Sequence, residues 1–263
     1  MIATATSHQP LRLLLDLTPQ FHDVDAERED LSEAVAIQQA LLPQRVPHST
    51  GRDIAASWRP AGQVSGDYFD LVPLDHGRLG ICVGDASGKG FPAALLMSNL
   101  QAAVRALAPD AASTSALTNR INRILCDNTA PNKFVTLFYG VLDGRRLTYT
   151  NAGQCPPVLV RADGSHVRLE DGGAVLGVFP DWAYEQAEIS LAPGDRLALF
   201  SDGITDAGNP RGDQFGEQRL LEILRDNRML DATALGQKIV SAVSDFAGGA
   251  PQDDTTLLVI AMD

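Results

Sequence analysis

The chain has 263 residues, 44% of them hydrophobic, and a formal net charge of -12. This is enough for one large domain with a real core, while the acidic balance and the lack of a basic block argue against a nucleic-acid partner. The longest apolar runs are too short to cross a membrane. The three cysteines are widely spaced, which fits neither a zinc site nor disulfides. The first residues do not have the pattern of a signal peptide, and we expect a cytoplasmic protein.

Residues 1–45 are predicted to form an appendage. They begin with a short apolar run at 11–17 and a charged stretch at 23–30. From residue 31 to residue 42, apolar residues recur at helical spacing, and Pro43 and Pro47 end the pattern, which predicts an amphipathic helix. The apolar stripe of this helix packs either on the chain's own domain or against a second copy or another partner, and the sequence leaves both alternatives open.

Residues 46–263 contain blocks of short strands separated by pairs of helices. Short apolar runs bounded by Gly, Pro or Asp predict strands, and longer stretches with one apolar face predict helices. In chain order we predict strands at 54–58, 68–72 and 79–84, helices at 92–108 and 115–127, strands at 135–142, 147–151, 158–161, 184–191 and 196–200, helices at 217–226 and 232–246, and a final strand at 255–261.

The order of these elements predicts an α+β fold. The strands do not alternate regularly with helices, so the sheets should be largely antiparallel. Two sheets packed face to face, with the helix pairs on their outer faces, would bury nearly every apolar run. Three Asp-Gly pairs, at 143–144, 163–164 and 171–172, are assigned to ordinary turns.

Four aspartates stand at the edges of apolar strands, next to glycine or another small residue: Asp67, Asp85, Asp202 and Asp253. An aspartate at the end of a buried strand is held by the sheet but opens into a loop that a ligand can reach. If these carboxylates converged, they would repel one another, and bound cations would relieve the repulsion. Oxygen-only ligands favour Mg²⁺ or Mn²⁺ over zinc. Each Asp taken alone is also compatible with an ordinary turn.

Two other kinds of site are not supported by the motifs. The glycine-rich segment 84–90 precedes a predicted helix, but only three residues separate its first glycine from Gly-Lys, and a P-loop needs four. The chain has no Gly-x-Ser-x-Gly elbow, and none of its five histidines lies in a motif that could serve a serine nucleophile. A covalent acyl-enzyme mechanism is therefore not predicted.

Six segments together resemble the SpoIIE/RsbU branch of the PPM metal-dependent protein phosphatases. The resemblance runs in order from about Ile37 to Asp263 and so covers most of the chain. The segments are 64–70 (VSGDYFD), 83–97 (VGDASGKGFPAALLM), 134–143 (FVTLFYGVLD), 148–153 (TYTNAG), 201–207 (SDGITDA) and 252–257 (QDDTTL).

The resemblance implies a four-layer α-β-β-α sandwich, preceded by an N-terminal helix, with two divalent cations, Mn²⁺ or Mg²⁺, bound at one end. Residues 46–263 would be the phosphatase domain. Asp85 would bridge both cations, and the backbone carbonyl of Ala86 would be a further ligand. Asp202 and Asp253 would hold one cation, and Asp67 would serve the other directly or through water.

The chain departs from the family pattern at two places. It has Gln154 where the family commonly has His after Asn-Ala-Gly, and Val-Leu-Gly at 175–177 where Pro-Leu-Gly is usual. Neither change removes an expected ligand, so activity should survive. Asp254 is expected not to be a ligand, and Asp70 is expected to be structural or to support the ligands. Lys89 is expected to be a surface lysine rather than a phosphate-orienting group.

By the same resemblance, the chain is a serine/threonine phosphoprotein phosphatase in which metal-activated water attacks phosphorus without a covalent intermediate. Its substrate would be a phosphoserine or phosphothreonine on an anti-anti-sigma (STAS-domain) protein in a partner-switching pathway. Two alternatives are a catalytically silent regulatory binding module and a hydrolase of small phosphate esters. Control would come from a regulatory protein, from a homodimer formed through the 31–42 helix, or from expression alone.

Overall fold

The computed structural model describes residues 24–47, 51–249 and 252–263. The apolar run predicted at 11–17 lies outside these ranges. Two sheets pack face to face and helices cover both outer faces, so the predicted α+β sandwich is confirmed. In the part of the chain that the structure describes, every helix is too short or too polar to cross a membrane.

Most predicted elements are present, with shifted ends. The strands are β1 (Arg52–Arg59), β2 (Asp67–Pro73), β3 (Leu79–Ala86), β4 (Val135–Asp143), β5 (Arg146–Ala152), β6 (Val158–Val160), β7 (His166–Arg168), β8 (Gly172–Gly173), β9 (Ala187–Ser190), β10 (Arg196–Phe200) and β11 (Thr255–Met262). The α-helices are α1 (Val24–Leu41), α2 (Phe91–Leu107), α3 (Thr114–Asn128), α4 (Asp202–Thr205), α5 (Gly216–Asp226) and α6 (Ala232–Ala247).

Several local predictions need correction. The strands β7 and β8 and the helix α4 were not predicted, and the strand expected at 184–191 begins only at Ala187. The assignment of Asp171-Gly172 to an ordinary turn is wrong, because Gly172 enters β8 and the Asp171 carboxylate accepts a hydrogen bond of 2.6 Å from the Tyr149 hydroxyl. The Asp-Gly pairs at 143–144 and 163–164 do form the turns of the β4–β5 and β6–β7 hairpins.

The first sheet has the order β1-β11-β10-β6-β7 and is antiparallel throughout. The second has the order β2-β3-β4-β5-β8, with β9 also paired to β5, and its only parallel pairing among the described strands joins β5 to β8. The central strand β11 alternates sides as a strand must. Leu258 and Ile260 join the core between the sheets, whereas Leu257 and Val259 pack beneath α5 and α6.

The helix α1 begins earlier than its apolar stripe indicated, at Val24. Its C-terminal half packs on the chain's own domain. Gln38 is buried there and makes two hydrogen bonds with the backbone of Ser65, of 2.8 and 2.9 Å, while Gln101 of α2 donates to the Leu41 carbonyl. The first of the two alternatives for this helix is therefore realised at its C-terminal end.

Candidate functional site

The hairpin of β2 and β3 brings two of the predicted aspartates together. Asp67 is the first residue of β2, and it lies directly opposite Asp85, near the end of β3. Directly opposed residues project to the same face of a sheet, with their Cβ atoms about 5 Å apart. Two carboxylates separated by 17 residues of sequence therefore become neighbours at the edge where the two sheets meet.

Asp67 is held from the opposite sheet. Its carboxylate Oδ2 accepts hydrogen bonds of 2.6 Å from the hydroxyls of Ser201, which follows β10, and Thr256, in β11. Asp67 is 1% exposed. Burial raises the pKa of Asp67 to about 7 against the opposing effect of the two hydroxyls, and the charges of Asp254 and Asp202 raise it further. Both hydroxyls bind the same oxygen of the carboxylate.

Asp202 and Asp253 come from the ends of adjacent strands in the first sheet. Asp202 opens α4 after β10, and Asp253 precedes β11. A hydrogen bond of 3.0 Å from the Ser201 amide to the Thr256 carbonyl holds the two segments side by side. Gly203 lies so close to the Asp254 carbonyl that a Cβ atom at this position would overlap it. Glycine is thus required after Asp202, because the backbones of Gly203 and Asp254 approach each other so closely.

Asp254, next to Asp253 in the chain, is already occupied by backbone donors. Its two carboxylate oxygens accept hydrogen bonds from the amides of Ala61, at 2.7 Å, and Gly66, at 2.8 Å. Asp254 therefore fastens the loop that leads into β2. Both carboxylate oxygens of Asp254 are therefore engaged by the backbone.

The carbonyl group of Ala86 lies beside Asp85. A Cβ atom added to Gly66 would stand 2.9 Å from the Ala86 carbonyl oxygen and 3.4 Å from Asp85 Oδ1. The Ala86 amide in turn donates to the Gly66 carbonyl at 3.2 Å. Gly66 therefore provides the space into which this carbonyl and the Asp85 side chain project.

The carboxylates affect one another electrostatically. Burial raises the pKa of Asp85 to about 8, and the charges of Asp67, Asp202 and Asp253 add to this effect. Burial and the charge of Asp253 also raise the pKa of Asp202. Among the described residues, no group of three or more His, Cys, Asp or Glu side chains is arranged so that it could hold a metal ion. The carboxylates thus lie near one another without forming a compact metal site, and their negative charge is costly near neutral pH.

The Lys89 side chain is exposed, as expected, but its ammonium group is not free of the site. It lies 2.8 Å from Asp253 Oδ2 and donates to the Gln252 carbonyl at 3.2 Å. The pKa of Lys89 is raised, chiefly by the hydrogen bond to Asp253. A positive charge at this position partly offsets the charge of the carboxylates, which is what a bound cation would do more fully.

Gln154 is linked to the site by Thr136, the residue opposite Asp85 on β4. The oxygen Oε1 of Gln154 accepts hydrogen bonds from the Thr136 hydroxyl, at 2.8 Å, and from the Cys155 amide, at 3.1 Å. The amide of Cys155 can only donate, so the orientation of the side chain is fixed. Its Nε2 group is buried and has no partner among the described residues.

Asp70 is not part of the site. It lies on the opposite face of β2, fully buried, and forms a bidentate ion pair with Arg105 of α2 at 2.6 and 2.7 Å. The hydroxyl of Tyr68 also donates to Asp70, at 2.6 Å. These contacts fasten α2 to its sheet, in line with the structural role expected for Asp70.

Sequence reasoning missed the roles of Ser201 and Thr256. Both lie inside the motifs that were singled out. Ser201 directly precedes the predicted ligand Asp202, whereas Thr256 lies three residues after the predicted ligand Asp253. For Ser201 the available signal was a hydroxyl residue next to a strand-edge aspartate, but only the packing of one sheet on the other shows that both hydroxyls meet Asp67.

Known proteins resemble this chain in sequence and in fold. The family model for Stage II sporulation protein E (SpoIIE) matches residues 75–263. The phosphoserine phosphatase RsbU of Bacillus subtilis (strain 168) is 33% identical over 237 residues, which cover 89% of this chain and 70% of RsbU. Protein IcfG of Synechocystis is 28% identical over 89% of this chain, but the match covers only 41% of IcfG.

Solved structures give the same picture. The SiaA-PP2C domain of Pseudomonas aeruginosa superposes with a TM-score of 0.77 at 26% identity, over 91% of this chain and 98% of that domain. The catalytic domain of the phosphatase PstP, solved with two manganese ions, has a TM-score of 0.61 at 15% identity, over 81% of this chain and 99% of that one. The second likeness concerns the fold alone.

Proposed function

The chain belongs to the SpoIIE family of PPM-type protein serine/threonine phosphatases, and we propose that it works with two divalent cations, Mn²⁺ or Mg²⁺, held by Asp67, Asp85, the Ala86 carbonyl, Asp202 and Asp253. The observation that carries this proposal is the pairing of Asp67 with Asp85 across β2 and β3. Asp202 and Asp253 border the same place from the other sheet, and their charges act on Asp85. Oxygen donors of this kind suit these two cations.

When bound, such a pair of cations supplies an attacking water of lowered pKa and offsets charge on the phosphoryl oxygens. The chain's own residues position the proposed ligands. Ser201 and Thr256 fix the Asp67 carboxylate, and Asp254 holds the loop before β2. Lys89 lies 2.8 Å from Asp253 Oδ2, so a cation bound to Asp253 would compete with this ion pair.

We propose that the substrate is an anti-anti-sigma (STAS-domain) phosphoprotein of a partner-switching pathway. The reaction would then take place in the cytoplasm. The similarity to RsbU, named a phosphoserine phosphatase, supports a phosphoserine substrate. The two alternatives, a silent binding module and a hydrolase of small phosphate esters, make different predictions in a single assay. A silent module releases no phosphate, and a small-ester hydrolase prefers nucleotides or sugar phosphates to a phosphoprotein.

The test measures phosphate release from a phosphorylated STAS protein and from an aryl phosphate, using protein stripped with EDTA and then supplied with Mn²⁺ or Mg²⁺. Activity should return only with added cation. Asp85→Ala and Asp202→Asn should abolish it without unfolding the chain, whereas Asp110→Asn, on the exposed α2–α3 loop, should be neutral. Undiminished turnover by Asp85→Ala would refute the ligand assignment.

We also propose that residues 1–45 form a regulatory appendage to a phosphatase domain at 46–263. Although the C-terminal half of α1 is docked on the domain, Ile37 on this helix is 56% exposed. An apolar residue in this position suits contact with a regulatory protein or with a second copy of the chain. Light scattering with and without residues 1–45 tests the second possibility, since a number of subunits that does not change on deletion would exclude pairing through this helix.

A further inference from the structure

A groove runs between α6 and the outer face of β1 and β11. It consists of two adjoining cavities, of about 240 and 290 Å³, that share Ser57, Val240 and Leu257 in their walls. The first cavity opens beside Asp253 and Lys89, and the second continues along the seam towards the start of α6. The groove is therefore continuous with the carboxylates described above.

Small residues keep this seam open. The helix presents Gly236 and Ser244, and the strand presents Ala55 and Ser57, where larger side chains would close the gap between helix and sheet. Each of the two cavities is of the size that accommodates an amino-acid side chain.

The chemistry of the groove changes along its length. Its walls are apolar at Val240, Val243 and Leu257, whereas the end beside the carboxylates carries charges of both signs, from Arg59 and Lys89 and from Asp206 and Asp253. A ligand that is polar at one end and apolar at the other matches this distribution.

We propose that this groove receives the polypeptide segment that flanks the phosphoserine of the substrate, with an apolar side chain of that segment packed against Val240 and Val243. The inference rests on the proposed function and adds to it a site for substrate specificity. With the phosphate at the carboxylates, the neighbouring residues of the substrate lie at the groove mouth. A small aryl phosphate would occupy the phosphate position and leave the groove empty.

The test compares two substrates in two groove variants. Ser244→Phe fills the first cavity, and Val240→Glu places a negative charge in its wall, while Asp245→Ala, on the exposed side of α6, is the control. The probes are para-nitrophenyl phosphate and a series of phosphoserine peptides that differ only in the position of one leucine. All assays use the full chain with saturating Mn²⁺.

We expect the wild-type protein to prefer one leucine position. In both groove variants, kcat/KM for that peptide should fall about tenfold or more through KM, and kcat/KM for para-nitrophenyl phosphate should stay within about twofold. Equal losses on both substrates, or no loss on the peptide, would overturn the inference. If the wild-type protein hydrolyses neither substrate, the proposed function fails instead.

One further variant distinguishes occupation of the groove by the substrate from occupation by a segment of the chain itself. If residues 1–23 occupied the groove, deleting them would raise peptide turnover in the wild-type protein but not in Ser244→Phe, and this outcome would also overturn the inference.

Discussion

Bringing several carboxylates together destabilises the folded protein, so neutralising one of them should increase its stability. Asp85→Asn keeps the shape of the side chain but cannot ionise. In the folded protein the pKa of Asp85 is about 8, compared with 3.8 for an unperturbed aspartate. Because the folded-state pKa is the higher one, the penalty is absent below about pH 4 and grows with pH until it levels off near pH 8.

The size of the effect follows from this shift. At pH 7 the unfolded chain has released the Asp85 proton and the folded chain has largely kept it. About three pH units at about 1.4 kcal/mol each give an upper limit of about 4 kcal/mol. The site is open to solvent on one side, and screening reduces this figure. We expect Asp85→Asn to raise the free energy of unfolding of the metal-free protein by about 1–3 kcal/mol.

Urea denaturation in EDTA at pH 7, followed by circular dichroism, measures this difference. Saturating Mn²⁺ should reverse the order of stability, because the wild-type protein gains the free energy of cation binding and the variant largely does not. Asp110→Asn should shift neither measurement by more than about 0.5 kcal/mol. A variant less stable than the wild-type protein in EDTA would show that the carboxylates do not oppose folding, and the reasoning would fail.

Three further outcomes are expected. Arg105→Ala should lower the free energy of unfolding by about 3 kcal/mol, because Asp70 is left buried and unpaired; urea denaturation would show this, and an unchanged value would contradict it. Gly66→Ala should weaken Mn²⁺ binding in calorimetry by displacing the Ala86 carbonyl, and a fold intact by circular dichroism with normal affinity would argue against that carbonyl as a ligand. Because the folded-state pKa of Asp67 is raised to about 7, the stability of the metal-free protein should fall as pH rises from about 4 to 7, and a rise measured in EDTA would contradict the assigned environment.

The sequence predicted those parts of the fold that carry a long periodic signal. Segments such as α2, α6 and β11 have enough apolar residues in register to identify both their type and their buried face. The helix α1 extended further than its stripe, to Val24, because charged residues with good helix propensity continue a helix without marking a buried face. Elements of two to four residues, such as β8 and α4, have no measurable period and depend on tertiary contacts.

The candidate site shows a similar division. Strand-edge position singled out Asp67, Asp85, Asp202 and Asp253 as candidates, since that position is local information. What the sequence alone could not supply is which groups meet across the sandwich. The two hydroxyl bonds to Asp67 link residues 134 and 189 positions apart in the chain. Contacts of that separation come from the packing of the two sheets and leave no periodic trace.

The bonds from Ser201 and Thr256 to Asp67 also bear on how the protein folds. The β2–β3 hairpin can form early from local contacts, but its two acidic ends acquire their hydroxyl donors only when the other sheet docks. A half-assembled chain thus lacks both the anchored Asp67 oxygen and the neighbouring pair Asp202 and Asp253. Hydrolytic competence therefore depends on the docking of the two sheets, and a misdocked sandwich would be expected to be inert.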